Sequence, residues 1–172
     1  MDFEKVITER YSVRKFKNQH LDKSHIDRIL NAAHVAPTGC NYQPQRILVL
    51  NTDQSINKLK SCTRCHFDAP CAFLVCYNID ESWTRPYDGA KSAPVDASIV
   101  TCHMMLEAKN LEIGSCWVMH FDPAKIRKEF NIPDNYIPHA LLVMGYPHEE
   151  SVPFEMHSKV RDINQVVYYD SF

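Results

Sequence analysis

Apolar positions along the chain alternate between helical spacing and short unbroken runs, and this alternation lays out the elements. Phe3, Val6 and Ile7 recur at helical spacing behind Asp2, a capping residue type, so a first helix runs into Glu9-Arg10 and delivers Arg10 at its C-terminal end. A second helix begins near Asp22 or Ser24, carries Ile26, Ile29, Leu30 and Ala33 at i, i+3, i+4 and i+7, and must stop before Pro37. Pro37-Thr38-Gly39-Cys40-Asn41 reads as a loop. Residues 46–50 form a compact strand and 55–59 a short helix. Residues 71–77 form a strand whose continuous apolar character predicts burial on both faces, and these two strands are expected at the centre of a sheet.

Between 78 and 94 no period holds. A stretch of that length carrying Trp83, Pro86, Tyr87 and Gly89 is expected as a lid or binding loop, with Trp83 and Tyr87 as candidate substrate-pocket residues. Asp96 is expected to open the longest helix. Ile99, Val100, His103 and Leu106 lie on one side of it, Met104, Met105 and Ala108 widen its apolar face, and it ends around Asn110. A strand over 114–120, a helix capped by Asp122 with Pro123 at its first position, and a strand over 140–144 follow. Beyond Pro147 lies a tail of about 25 residues, long for a segment without structure of its own. Four strands and four or five helices without a regular βαβ rhythm predict one domain, a mixed sheet with helices on both faces.

Composition narrows the partners. A formal net charge of -2 provides no basic field for a phosphate backbone, so nucleic acid is not expected as a partner. The longest hydrophobic run, 71–77, is too short to span a bilayer, and the N-terminus has neither the basic nor the apolar region of a secretion signal; no membrane association is expected. Seven cysteines without an even framework fit reduced thiols in a cytoplasm. With four glycines, Gly39, Gly89, Gly114 and Gly145, neither GxGxxG nor GxxxxGK[ST] can be written. A phosphorylated cofactor would therefore need side-chain cations, and two clusters exist: Arg10-Tyr11-Ser12-Val13-Arg14 and Lys159-Val160-Arg161. Tyr11, Val13, Phe16 and Val160 place apolar walls beside those charges.

The order Glu9-Arg10-Tyr11-Ser12-Val13-Arg14-Lys15-Phe16, then Ala36-Pro37-Thr38-Gly39-Cys40-Asn41-Tyr42-Gln43-Pro44, resembles the FMN-dependent nitroreductase family. Asp96-Ala97-Ser98, Gly114-Ser115-Cys116-Trp117, and Gly145-Tyr146-Pro147 followed by Lys159-Val160-Arg161 match in order, so the resemblance spans nearly the whole chain. Tyr11 stands where the family often has a second basic residue, and Gln45 where a Trp often follows the Gln-Pro pair.

The resemblance implies an α+β fold with a mixed, mainly antiparallel central sheet of four to five strands, in an intertwined homodimer. A single domain over 1–172 would send its tail, 148–172, around the partner subunit. It implies FMN as cofactor, NADH or NADPH as reductant, and ping-pong hydride transfer through flavin N5 to a small planar acceptor such as a nitroaromatic or quinone. Arg10, Lys159 and Arg161 would hold the FMN phosphate, with Ser12 bonding the phosphate or ribityl chain. Arg14 would reach the N1 edge, where a fixed cation favours the reduced ring. Gly114, beside Ile113 and Ser115, would offer a backbone N–H to N5, so Arg14 and Gly114 are the candidate catalytic positions. Read from the residues alone, Gly114 is expected as a helix C-cap ahead of a strand. Pro37, Thr38, Gly39 and Asn41 would reach the flavin of the partner, and Tyr11 would line the cofactor site.

Other features point elsewhere only weakly. Cys62, Cys65, His66 and Cys71 suggest a zinc-binding interaction module, but the second half of a structural zinc site is missing, and Cys62 and Cys65 are expected in a loop after the short helix. His103 is expected as a hydrogen-bonded core residue and Met104-Met105 as core filling. No metal is expected. A non-catalytic flavin-storage protein is the remaining rival to the enzyme.

Overall fold

A computed structural model describes residues 2–172. Helix α1 (Phe3–Glu9) and helix α2 (Lys23–His34) precede strand β1 (Gln45–Leu50), helix α3 (Asp53–Cys62) and strand β2 (Cys71–Asn78). Helix α4 (Ala93–Asn110), strand β3 (Gly114–Val118), helix α5 (Pro123–Glu129) and strand β4 (Tyr136–Gly145) complete the core. The sheet order is β1-β2-β4-β3, and all three pairings are antiparallel. Among the described residues the one parallel contact is an isolated bridge between Ser12 and Ser115 on the edge of β3. This is the α+β arrangement expected, with helices on both faces.

Alternation along β2 divides two cores. Cys71, Phe73 and Val75 face the layer of α2 and α4, while Ala72, Leu74 and Cys76 face α3 and α5. Leu142 and Met144 on β4 join the first layer, Leu141 and Val143 the second, and all four are fully buried. Burial on both sides is what an unbroken apolar strand requires. For β2 the expected central position holds. For β1 it does not: β1 is an edge strand, mostly half-buried, with Leu48 exposed at 39%. Its apolar run is explained by the packing of Ile47 and Val49 against the first core.

Several boundaries differ from expectation for visible reasons. Ser92, not Asp96, caps α4, because Pro94 is tolerated in a first helical turn, and Asp96 lies inside it. α3 begins with a capping box in which Thr52 and Ser55 bond reciprocally, so it starts at Asp53 and runs on to include Cys62. β3 stops at Val118. β4 starts well before Ala140, since Pro138 is accommodated at a bulge where the register shifts and His139 is the additional residue. His103 is half-buried and lines a surface groove with Phe3 and Leu106; its ring makes no hydrogen bond among the described residues. No helix among the described residues is long and apolar enough to cross a membrane.

Two segments lie outside the layers. Residues 12–17 form a strap: Val13 N–H donates to Ser115 O at 2.9 Å, Lys17 N–H to Tyr146 O at 2.8 Å, and Phe16 bridges to Pro147. The tail contains only two short 3-10 turns, Glu155–Ser158 and Ile163–Gln165, and every residue from 152 to 172 is exposed.

Candidate functional site

The strap delivers the first candidate cluster. α1 ends at Arg10, whose extended backbone releases the chain toward β3, and the Ser12–Ser115 bridge fixes the segment along that edge. Gly114 makes this docking possible. A Cβ at that position would lie 2.8 to 2.9 Å from three atoms of Val13, which is itself 3% exposed. The C-cap reading of Gly114 is overturned, because α4 is capped at Leu111 and the left-handed residue is Glu112, with φ 61°. Gly114 instead opens β3, paired with Gly145.

Two cavities flank the strap. The larger, about 290 Å³, is lined by Arg10, Tyr11, Val13, Ile113, Gly114 and Ser115, together with Glu9, Lys109, Glu112 and Pro147. The smaller, about 190 Å³, is lined by Arg10, Ser12 and Arg14 and by Phe154, Met156 and His157 from the tail. It carries two guanidinium groups and no carboxylate. Arg14 donates to Ser12 O at 3.3 Å and lies 5.8 Å from the Phe67 ring centre and 5.9 Å from that of Phe154. Behind it, burial pushes the Cys116 thiol up, offset in part by the charge of Arg14 and a hydrogen bond with Ser12.

Charge pairing distinguishes these arginines. Arg28, Arg46, Arg85 and Arg127 each pair with a carboxylate. Among the described residues Arg10, Arg14, Arg64 and Arg161 make no such pair. Unneutralised guanidinium groups beside apolar walls are suited to an anionic ligand, since each offers a fork of donors. Lys159 pairs with Glu155, and Lys159 and Arg161 both lie on the exposed tail, outside the two cavities. Tyr11 acts through its hydroxyl, which donates to Ser151 O at 3.1 Å and so ties strap to tail. Phe67, Phe154, Met156 and His157 were not foreseeable: no spacing in the sequence connects them to Arg14.

The second cluster forms elsewhere. Cys40 and Asn41 take φ of 48° and 58°, closing a tight 3-10 turn, Gly39–Asn41, after Thr38. Asp96, 2% exposed, receives Gly39 N–H at 2.8 Å and Ser92 Oγ–H at 2.8 Å. Trp83 closes on the same turn, its Cβ 3.5 Å from where a Gly39 Cβ would sit, whereas Tyr87 is 94% exposed at a hairpin tip. Pro37, Thr38, Gly39 and Asn41 line neither cavity at the strap. The two clusters lie at opposite ends of α4, whose 18 residues span about 27 Å.

The cysteines do not converge. Cys62 belongs to the core layer of α3 and α5 and Cys71 to the opposite layer, where burial pushes its thiol up to about 12. Among the described residues no group of three His, Cys, Asp or Glu side chains is placed to hold a metal ion.

An antiparallel α+β sheet sandwiched by helices, with an arginine-bearing strap docked on one edge strand, defines the class of small α+β domain to which the chain belongs. A family model described as the nitroreductase family matches residues 7–69 and 64–146, and the chain belongs to that family. A nitroreductase family protein of Clostridium difficile 630 superposes with a TM-score of 0.93 at 41% identity, covering 100% of both chains. A protein provisionally named NADH dehydrogenase/NAD(P)H nitroreductase, from Methanothermobacter thermautotrophicus, is 27% identical over 87% of this chain and 79% of its own length. A provisionally assigned nitroreductase from Exiguobacterium sibiricum, solved in complex with FMN, superposes with a TM-score of 0.85 at 19% identity, covering 98% of this chain and 97% of that one.

Proposed function

We propose that the chain is an FMN-dependent oxidoreductase that uses NADH or NADPH to reduce a small planar acceptor, such as a nitroaromatic or quinone, in a ping-pong sequence. The observation that carries this reading is the pair Arg10 and Arg14, held side by side on a cavity with no carboxylate to neutralise them. FMN, when bound, takes hydride from the nicotinamide and passes the electrons to the acceptor. Arg10 and Ser12 fit its phosphate end by charge and donor type, with Lys159 and Arg161 brought in from the tail. Arg14 supplies a fixed cation for the edge of the ring that becomes negative on reduction. Ile113, Gly114 and Ser115 present backbone to the ring from the start of β3, and Trp83 and Tyr87 mark the acceptor side.

One chain cannot complete this site. Pro37, Thr38, Gly39 and Asn41 stand a helix length from Arg14, so both sets meet one planar ring only if a second copy supplies the loop. The tail supports the same homodimer, because Phe154, Val160, Ile163, Val166, Tyr168 and Tyr169 are all more than half exposed. Such a strip needs a surface to cover, and obligate interfaces bury on the order of 2,000 to 5,000 Å². Seven free thiols, three of them fully or partly accessible, fit a reducing cytoplasm.

The test is an anaerobic absorbance spectrum. Purified protein is expected to be yellow, to bleach on adding NADH or NADPH, and to regain colour with a quinone. Protein that takes up no FMN would overturn the reading; yellow protein that neither reductant bleaches would indicate flavin storage instead.

A further inference from the structure

The hairpin after β2 is not a loose flap. Thr84 bridges to Lys91, Arg85 N–H donates to Ala90 O at 2.8 Å, and Arg85 pairs with Asp88. Its first end is braced where Glu81 receives Asn78 Nδ2 at 2.8 Å and pairs with Arg46. The hairpin is therefore braced within itself and at its first end, and its link to the turn at 38–41 runs through its second end.

At that second end Ala93 N–H donates to Ser82 Oγ and Lys91 Nζ to Ile79 O, both at 3.0 Å, and one carboxylate ties the end to the turn at 38–41. Asp96 receives Ser92 Oγ–H at 2.8 Å while its other oxygen receives Gly39 N–H, and Ser92 N–H donates to Trp83 O at 2.9 Å. Steric contact reinforces the link, since a Cβ at Gly39 would meet Ser92 Oγ at 2.9 Å. A carboxylate 2% exposed is costly to bury unless both oxygens are satisfied, and here one is committed to each segment.

We infer that Asp96 is a positioning residue that locks the turn at 38–41 to the hairpin at 82–92, so that the two segments assigned above to the flavin and to the acceptor side keep one fixed separation, which favours thin, planar acceptors. This deepens the proposed function and rests on it for the word acceptor; the coupling itself does not.

Hydrogen exchange on the ligand-free protein tests the coupling. Ser92→Ala removes one tether and leaves the Gly39 bond intact, so amides in 82–92 are expected to exchange about five-fold faster while those in 38–43 stay unchanged. Asp96→Leu should release both segments. Asp96→Asn, which still accepts from Gly39 and donates to Ser92, should protect both, a rescue that a general loss of packing would not show. Unchanged exchange of 82–92 in Ser92→Ala, or release of only one segment in Asp96→Leu, overturns the coupling. For specificity, the kcat/KM ratio of a naphthoquinone to benzoquinone should rise about five-fold in Ser92→Ala with FMN affinity unchanged. An unchanged ratio overturns the selectivity claim. Wild-type protein that binds no FMN would defeat the functional reading alone, because the exchange experiment needs no flavin.

Discussion

Gly114→Ala separates two explanations of the same glycine. If Gly114 served only to let backbone approach a flavin, an alanine there would leave the flavin-free protein as stable as before. The structure says otherwise, since the new Cβ would sit 2.8 Å from one Val13 methyl and 2.9 Å from two further Val13 atoms. Real Cβ atoms do not tolerate such contacts, so Val13 must move, and its N–H bond to Ser115 O at 2.9 Å moves with it. Overpacking costs about 1–3 kcal/mol and the strained hydrogen bond about 1 kcal/mol. Replacing a glycine returns about 0.4–1 kcal/mol through the unfolded chain. The net loss is about 2 kcal/mol, which for a domain of this size lowers Tm by about 4–8 °C. Differential scanning calorimetry of flavin-free wild type and variant measures this directly. Val13→Ala in the same chain removes two of the three clashing atoms, so the double variant should lose less than the sum of the singles. A flavin-free Gly114→Ala protein with unchanged Tm would refute the packing argument and leave close flavin approach as the reason for the glycine.

Three further outcomes are expected. Lys159→Ala with Arg161→Ala should fold but purify largely without flavin, since each lost charged hydrogen bond costs about 1.5–3 kcal/mol; unchanged flavin content would remove the tail from the phosphate site. Arg14→Ala and Asn41→Ala chains, each shown to be nearly inactive alone, should regain roughly a quarter of wild-type activity when co-expressed, because mixed dimers of two-fold symmetry concentrate both defects in one site. Tagged mixed dimers that stay inactive would mean that both residues serve one flavin from one chain. Burial holds the Cys71 thiol neutral, raising it from 9.0 to about 12, so its contribution is intact below about pH 9 and is lost as pH rises toward 12. Urea midpoints should fall between pH 8 and 11, and Cys71→Ala should flatten that fall; an equal slope in both would exclude Cys71 as its source.

The candidate site was legible in part, and unevenly. Arg10, Ser12 and Arg14 were accessible to sequence reading because they lie on one short segment, whereas Gly114 entered only through the family resemblance, since the residues around it read as a helix C-cap. The ring contacts of Arg14 come from Phe67 and Phe154, far from it along the chain and from each other, and no periodicity connects them. Asp96 was visible as a helix-opening residue, but its role as a tether depends on where Gly39 and Ser92 arrive in space.

Local chemistry sufficed for what depends on neighbours along the chain: the helical spacing of α2, the Asp122 cap with Pro123, the buried run of β2, and the absence of a glycine-rich phosphate loop. Tertiary structure decided what depends on packing between distant segments. It placed β1 at an edge despite its apolar residues, because burial of one face satisfies the same composition as burial of two. It carried β4 back through Pro138 by a bulge that no residue pattern announces. Above all it set the two halves of the predicted site at opposite ends of α4, a separation fixed by helix rise and invisible to the order of motifs.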